Sequence, residues 1–302
     1  MNTVIAAAER GKRWDVSHLA LHLFFIALCL AIVVPLVLVV SISVSDEKLL
    51  LQHGYRLIPE TFDLKAYRLI LQSPGQLLNA YAITIAVTLL GTAAGLLMTA
   101  LGAYVISRKD YRYRRITTIY VLFTMLFNGG LVPFYILVTQ YLHLKDTLWA
   151  LIVPYLLNPF YILIMKGFLD KLPGELYESA KIDGARETRI FASIVLPLAL
   201  PALATVGLFI AFAYWNDWWL GLLFVDSPGL VPLQLLLYRI MNTIEFLTNN
   251  IGVAGVDIDL SSFPNLSARM AMAVLAAGPM MFVFPSFQKY FVSGLTVGSV
   301  KS

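Results

Sequence analysis

The chain has 302 residues, 59% of them hydrophobic and only 13% charged, with a net charge of +4 and a mean hydropathy of +0.77. So little polar surface excludes a soluble globule of this size and leaves a polytopic membrane protein. The basic excess does not point to nucleic acid, because most lysines and arginines flank apolar runs, where they set orientation.

Residues 1–17 place Arg10, Lys12 and Arg13 ahead of an uncharged apolar run from His18 to Ser45. A cleavable signal has an apolar region of about 7–15 residues. This run is longer and closes on no small-x-small site, so it reads as a retained first span with its amino terminus inside. Cys29, the single cysteine, lies within it, which excludes an internal disulfide. Residues 46–74 balance Lys48, Arg56, Lys65 and Arg68 against Asp46, Glu47, Glu60 and Asp63, and are long enough to form structure outside. A second span over Gln76 to Ser107 ends at Arg108, Lys109, Arg112, Arg114 and Arg115. Short loops this rich in Lys and Arg stay cytoplasmic, which makes the cluster the strongest topology marker in the chain.

Ile116 to His143 is read as a third span interrupted by Asn128, Gly129, Gly130 and Pro133. Irregular backbone at membrane depth persists only where protein covers it or where it lines a wet cavity. The break is therefore a packing kink or a pathway-facing element, with Asn128 a candidate solute contact. Thr147 to Met165 is expected to be a clean fourth span; it contains Pro154, Asn158 and Pro159, and Asn158 is a second candidate.

A polar insert, residues 167–197, follows. Pro173 and Glu175 suit the start of a helix, and Gly184, after Ile182 and Asp183, suits its left-handed stop. Leu172, Leu176 and Ala180 share one side with Tyr177 nearby, while Glu175, Glu178 and Lys181 lie toward the other. Such a helix is a solvated connector or a docking element for a cytoplasmic partner.

Arg189 to Asp217 encloses a fifth apolar stretch with Pro197 and Pro201 near its start. Tyr214, Trp215, Asn216, Asp217, Trp218 and Trp219 close it. They form either an interfacial aromatic belt or a sugar site, in which rings stack on pyranose faces and amides bond hydroxyls. Asp217 is a functional candidate because a carboxylate near a span interior is costly. In the external loop, residues 226–267, the apolar run Pro232 to Leu247 tempts a further span. Arg239 and Glu245 would each cost about 2.5–3.5 kcal/mol at mid-membrane, so a helix lying on the outer face is expected. The last span runs from Met270 to Phe287, and residues 291–302 form a cytoplasmic tail. The expected fold is all-α, with six transmembrane helices over residues 18–290 and both termini cytoplasmic.

Glu178, Ala180, Gly184, Ile194, Leu196 and Pro197 reproduce the pattern E-A-A-x3-G-x9-I-x-L-P, with Ser179 in place of the second alanine. This resembles the signature loop of ABC importer permeases. The likeness runs through the chain after residue 20. NGGLVPFY at 128–135, WNDWW at 215–219, PLQ at 232–234 and QKYFVSGLTVGSVK at 288–301 are similar to carbohydrate-type permeases, including those for acidic oligosaccharides such as alginate fragments. The resemblance implies a type I importer permease in a bacterial inner membrane, surrounded by lipid and paired with a second, non-identical permease. It further implies that Leu176, Tyr177, Glu178, Ser179, Ala180, Asp183, Gly184, Ile194, Leu196 and Pro197 dock on a cytoplasmic ATPase dimer, and that an external solute-binding protein delivers an oligosaccharide for alternating-access import. The chain lacks the G-x4-G-K-[ST] phosphate loop, so ATP and Mg are expected on the partner, with no catalytic, cofactor or metal site here.

Three rival readings stand beside this one. A membrane enzyme needs convergent reactive groups, whereas His18, His22, His53 and His143 are scattered near span ends. An ion-coupled transporter needs ionisable relays inside its spans, and only Asp217 qualifies. A permease of the same class for another polar solute is the third.

Overall fold

The computed structural model describes residues 16–250 and 264–296, and among these the secondary structure is helical apart from an isolated bridge between Ser45 and Phe62. Most of the amino-terminal segment, part of the external loop and the end of the tail lie outside the described residues. The chain divides into two compact units, one from residues 1–70 and 247–274, the other from 71–246 and 275–302.

The first unit holds α1 (Val16–Ser43), α2 (Glu47–His53) and α3 (Lys65–Ile70). Asp46 caps α2, its carboxylate accepting from Lys48 N at 2.9 Å and Leu49 N at 3.4 Å. The balanced charges expected outside do make structure: Glu47 is buried and accepts from the backbone of Leu266 at 2.8 Å and Ser267 at 3.0 Å, and from the Ser267 hydroxyl at 2.7 Å. Those amides open α15 (Leu266–Thr296), so a carboxylate beside the first span satisfies orphan donors of the last helix.

The second unit is built on α4 (Pro74–Ser107), against which α8 (Pro159–Leu169) and α12 (Leu200–Trp215) pack. Small residues let these helices approach. A Cβ on Gly91 would stand 2.5 Å from the Tyr214 ring, and one on Gly95 would stand 3.2 Å from the Leu156 carbonyl oxygen. Tyr214 Oη, brought in over Gly91, donates to the Ile152 carbonyl at 2.8 Å. Between α4 and α8 lie α5 (Arg114–Leu126), α6 (Leu131–Ile136) with a π-helical turn after it, and α7 (Leu148–Ile152). Beyond α8 come α9 (Glu175–Ile182), α10 (Glu187–Ile190) and α11 (Leu196–Leu198), and α12 is followed by α13 (Trp219–Phe224) and α14 (Leu233–Asn250).

Three helical segments, His18–Ser43, Pro74–Ser107 and Leu266–Val283, are each long and apolar enough to cross a membrane. The other candidates are bent pairs: Arg114–Leu126 with Leu131–Tyr141 at 109°, Leu148–Tyr155 with Pro159–Leu169 at 48°, and Glu187–Leu198 with Leu200–Trp215 at 83°. Counting each pair once gives up to six spans. One expectation changes. The fourth span is not clean, because Asn158, held extended before Pro159, splits it, and its second half runs on to Leu169. The last helix, Leu266–Thr296, runs past both ends of the Met270 to Phe287 span expected within it. The third span breaks far more sharply than a kink, at Gly130 with φ +86°. α14 is a helix, as expected, and is not among the candidate spans.

Candidate functional site

The polar insert folds as a helix, a tight turn and a second helical run. α9 closes on a hydrogen-bond pair in which Ala185 N donates to the Ala180 carbonyl at 2.9 Å and Gly184 N to that of Lys181 at 3.0 Å. Gly184 sits at φ +75°, the left-handed conformation this closure requires. Ala180 is buried and holds the helix down. Leu176 is 36% exposed, Ile182 is 86% exposed, and Glu178, Ser179 and Asp183 are exposed as well. Ile182 is the functional candidate that sequence reasoning missed: helical spacing had ranked the Leu176 side as the apolar one.

Ile194, Leu196 and Pro197 do not join α9. They lie in the helical run from α10 through α11, which turns by 83° into α12 beyond Ala199. The signature thus spans two structures, an exposed helix with its stop and the first arm of the third bent pair, Glu187–Leu198 with Leu200–Trp215.

Beneath α9 lies a set of contacts. The Arg108 guanidinium, on a residue only 9% exposed, sits 4.3 Å above the Tyr177 ring. It pairs with Asp110 at 3.0 Å and Glu187 at 3.5 Å. Lys181 reaches the same two carboxylates, Asp110 at 2.5 Å and Glu187 at 3.1 Å, and Tyr104 Oη donates to Glu187. The Lys181 ammonium, foremost, with Arg108, holds the Asp110 carboxyl below its ordinary range, and Asp110, then Glu187, raises the Lys181 ammonium. A cavity of about 200 Å³ opens beside these groups, lined by Arg108, Asp110, Leu172, Tyr177 and Glu178 among others. Arg114 is committed too, to Asp170 at 2.8 Å and to the Ile106 carbonyl at 3.1 Å. Two arginines of the basic loop therefore do specific structural work that a reading as orientation signals did not foresee.

The pathway candidates separate by role. Tyr214 and Trp215 are buried, Trp215 donating its indole N–H to the Ala276 carbonyl at 2.9 Å. Asp217 accepts from Leu220 N at 3.2 Å, at the start of α13, and from Tyr155 Oη at 3.2 Å. Asn128 and Asn158 accept from Gly130 N and Phe160 N, each at 2.9 Å, steadying the two breaks while remaining exposed. Asn216, Trp218 and Trp219 are exposed, and Trp218 stacks on Tyr238 with ring centroids 4.7 Å apart. Among the described residues no group of three or more His, Cys, Asp or Glu could hold a metal ion.

The sequence profile described as "binding-protein-dependent transport system inner membrane component" matches residues 91–297. The chain belongs to this family. This inner membrane component is 37% identical to the polygalacturonan/rhamnogalacturonan transport system permease protein YtcP of Bacillus subtilis (strain 168), across 97% of this chain and 99% of that protein. It is 26% identical to the arabinooligosaccharides transport system permease protein AraQ of the same organism, over 97% and 99% of the two chains. In a crystal structure of a bacterial ABC transporter involved in the import of the acidic polysaccharide alginate, one chain superposes with a TM-score of 0.76 at 26% identity, over 93% of this permease and 99% of that chain. Both relatives are carbohydrate transport system permeases, and the fold of this chain is that of the type I permease.

Proposed function

We propose that this permease carries an acidic oligosaccharide inward as one half of an ATP-driven translocation pathway. The single observation that carries the coupling part is α9 itself: a helix closed by Gly184 that presents Ile182, Leu176 and Glu178 to the surroundings, where an ATPase subunit would seat it. ATP and Mg belong to that subunit, acting as a dimer. A second, non-identical permease completes the pathway, and an external solute-binding protein supplies the solute. Both termini, the basic loop after α4 and the segment from Gly167 to Pro197 face the cytoplasm, and residues 226–267 face outward. Closure of the ATPase dimer moves the docked helices together and opens the cavity outward, and release of ADP and phosphate returns it. The acidic saccharide is favoured over neutral ones by the uronic-acid polymers named for YtcP and for the alginate importer.

Reconstitution tests the whole reading. The permease pair and ATPase are placed in proteoliposomes with the cognate binding protein, and uptake of labelled oligogalacturonides is compared with that of neutral maltodextrins. ATP-dependent uptake of the acidic sugar, insensitive to ion-gradient collapse, is expected. Preference for neutral or unrelated solutes would move the substrate to another polar class, and uptake that survives ATP depletion would overturn the ATP-driven reading.

A further inference from the structure

We propose that Arg108 pins the docking helix to the inner end of α4, so that a push on α9 is delivered to the central helix of the unit instead of being absorbed by the loop. Arg108 is thereby a positioning residue for coupling. The inference rests on the docking reading above.

Three separate segments meet at this one side chain. Tyr104 and Arg108 come from the end of α4 and the residue after it, Tyr177 and Lys181 from α9, and Glu187 from the start of α10. The Arg108 guanidinium covers the Tyr177 ring on one face while its Nη2 donates to Asp110 and lies 3.5 Å from Glu187, and Glu187 also accepts from Tyr104. Lys181 closes the circuit from α9 to the same two carboxylates. A planar guanidinium can lie flat on a ring while its edge N–H groups still face carboxylates, whereas a compact ammonium such as that of Lys181 meets the carboxylates without a flat face to stack. The guanidinium end of these pairs is buried while Asp110 and Glu187 are half exposed, so solvent screens them less than it screens a pair exposed at both ends. A loop joined only by exposed Lys181 would give way under load; one pinned through a buried, stacked arginine moves as part of α4. Bare orientation signals would need no such geometry, and Lys109 and Arg115 in the same loop make no ion pair among the described residues.

The test compares Arg108→Lys, Arg108→Gln and Glu187→Gln in the full complex with ATPase, second permease and binding protein. Co-purification, ATP hydrolysis and uptake are measured for each. All three variants are expected to assemble and hydrolyse ATP while uptake per ATP falls about tenfold, a factor worth about 1.4 kcal/mol. Retention of full coupling by assembled Arg108→Lys and Arg108→Gln complexes would overturn the pin. Should these variants fail to assemble, a second measurement on otherwise unaltered protein decides. Spin labels at Val105→Cys on α4 and Glu175→Cys on α9, in a Cys29→Ser background, should keep one separation in nucleotide-free and ATP-trapped complexes. A separation that changes with nucleotide state would equally refute rigid transmission. Glu178→Ala measured in parallel distinguishes the two readings: if it is impaired while the Arg108 variants are normal, only the pin fails, and if both are normal, the docking reading itself fails.

Discussion

At Gly184 and at Gly91 the same residue type is required for opposite reasons, and the expected failures differ. Gly184 has nothing within 4 Å of the position a Cβ would take, so Gly184→Val fits in space but must hold a left-handed backbone, at roughly 1–2 kcal/mol. That variant should co-purify with its ATPase and show slowed uptake in proteoliposomes, because the helix is misaimed while its contacts survive. At Gly91 a Cβ would meet the Tyr214 ring at 2.5 Å in a tightly packed helix contact. Gly91→Ala should lower thermal stability in detergent by about 1–3 kcal/mol, the usual cost of overpacking, as read from unfolding midpoints. An unchanged midpoint would show that Tyr214 gives way freely.

Among the elements, the segment joining α12 to α13 separates binding from building. Asn216 is exposed, and among the described residues its side chain donates only to the Phe212 carbonyl one turn back, at 2.9 Å. Asn216→Ala should therefore slow uptake with assembly intact if this segment contacts solute. Asp217 receives the amide of Leu220 and the Tyr155 hydroxyl, so Asp217→Ala should lower stability in detergent by roughly 0.5–2 kcal/mol, the scale of a lost helix cap, and reduce expression before it alters transport. Sequence alone marks Asp217 for its charge but not for this role, because adjacency in WNDWW says nothing about which side chain turns back to cap a helix. The α9 fastening also carries a pH expectation. The Asp110 carboxyl is depressed from 3.8, chiefly by Lys181, so its contribution is complete above that ordinary value and fades as pH falls through the lower folded value. The Lys181 ammonium is raised from 10.5, so its share is complete below that and fades as pH rises through the higher folded value. Between the two the fastening should not titrate, and the Val105 to Glu175 label separation should be constant from pH 5 to about 9.

For the whole molecule, orientation in the bilayer is the property to measure. A cysteine replacing Tyr111, in a Cys29→Ser background, should be labelled by an impermeant reagent only after the membrane is opened. One replacing exposed Asn242 on α14 should be labelled in intact cells. The reverse result at either site would overturn the six-span arrangement with both termini inside.

Composition and patterning by themselves determined the polytopic helical class, since 59% hydrophobic residues cannot be hidden inside a soluble chain of 302. Spacing alone located α9 and its Gly184 stop, because capping is local: the residues that end a helix lie within a turn of its end. The breaks near Gly130 and Asn158 were legible as special residues, but their angles of 109° and 48° were not, because a bend is set by what packs on either side. The same limit hid the roles of Glu47, Arg108 and Glu187. Glu47 meets Ser267 from 220 residues away and Tyr104 meets Glu187 from 83 away, and no periodicity within one segment encodes a partner in another. A buried charge is stable only where distant elements bring its counter-groups to it, so those assignments belonged to the tertiary structure alone.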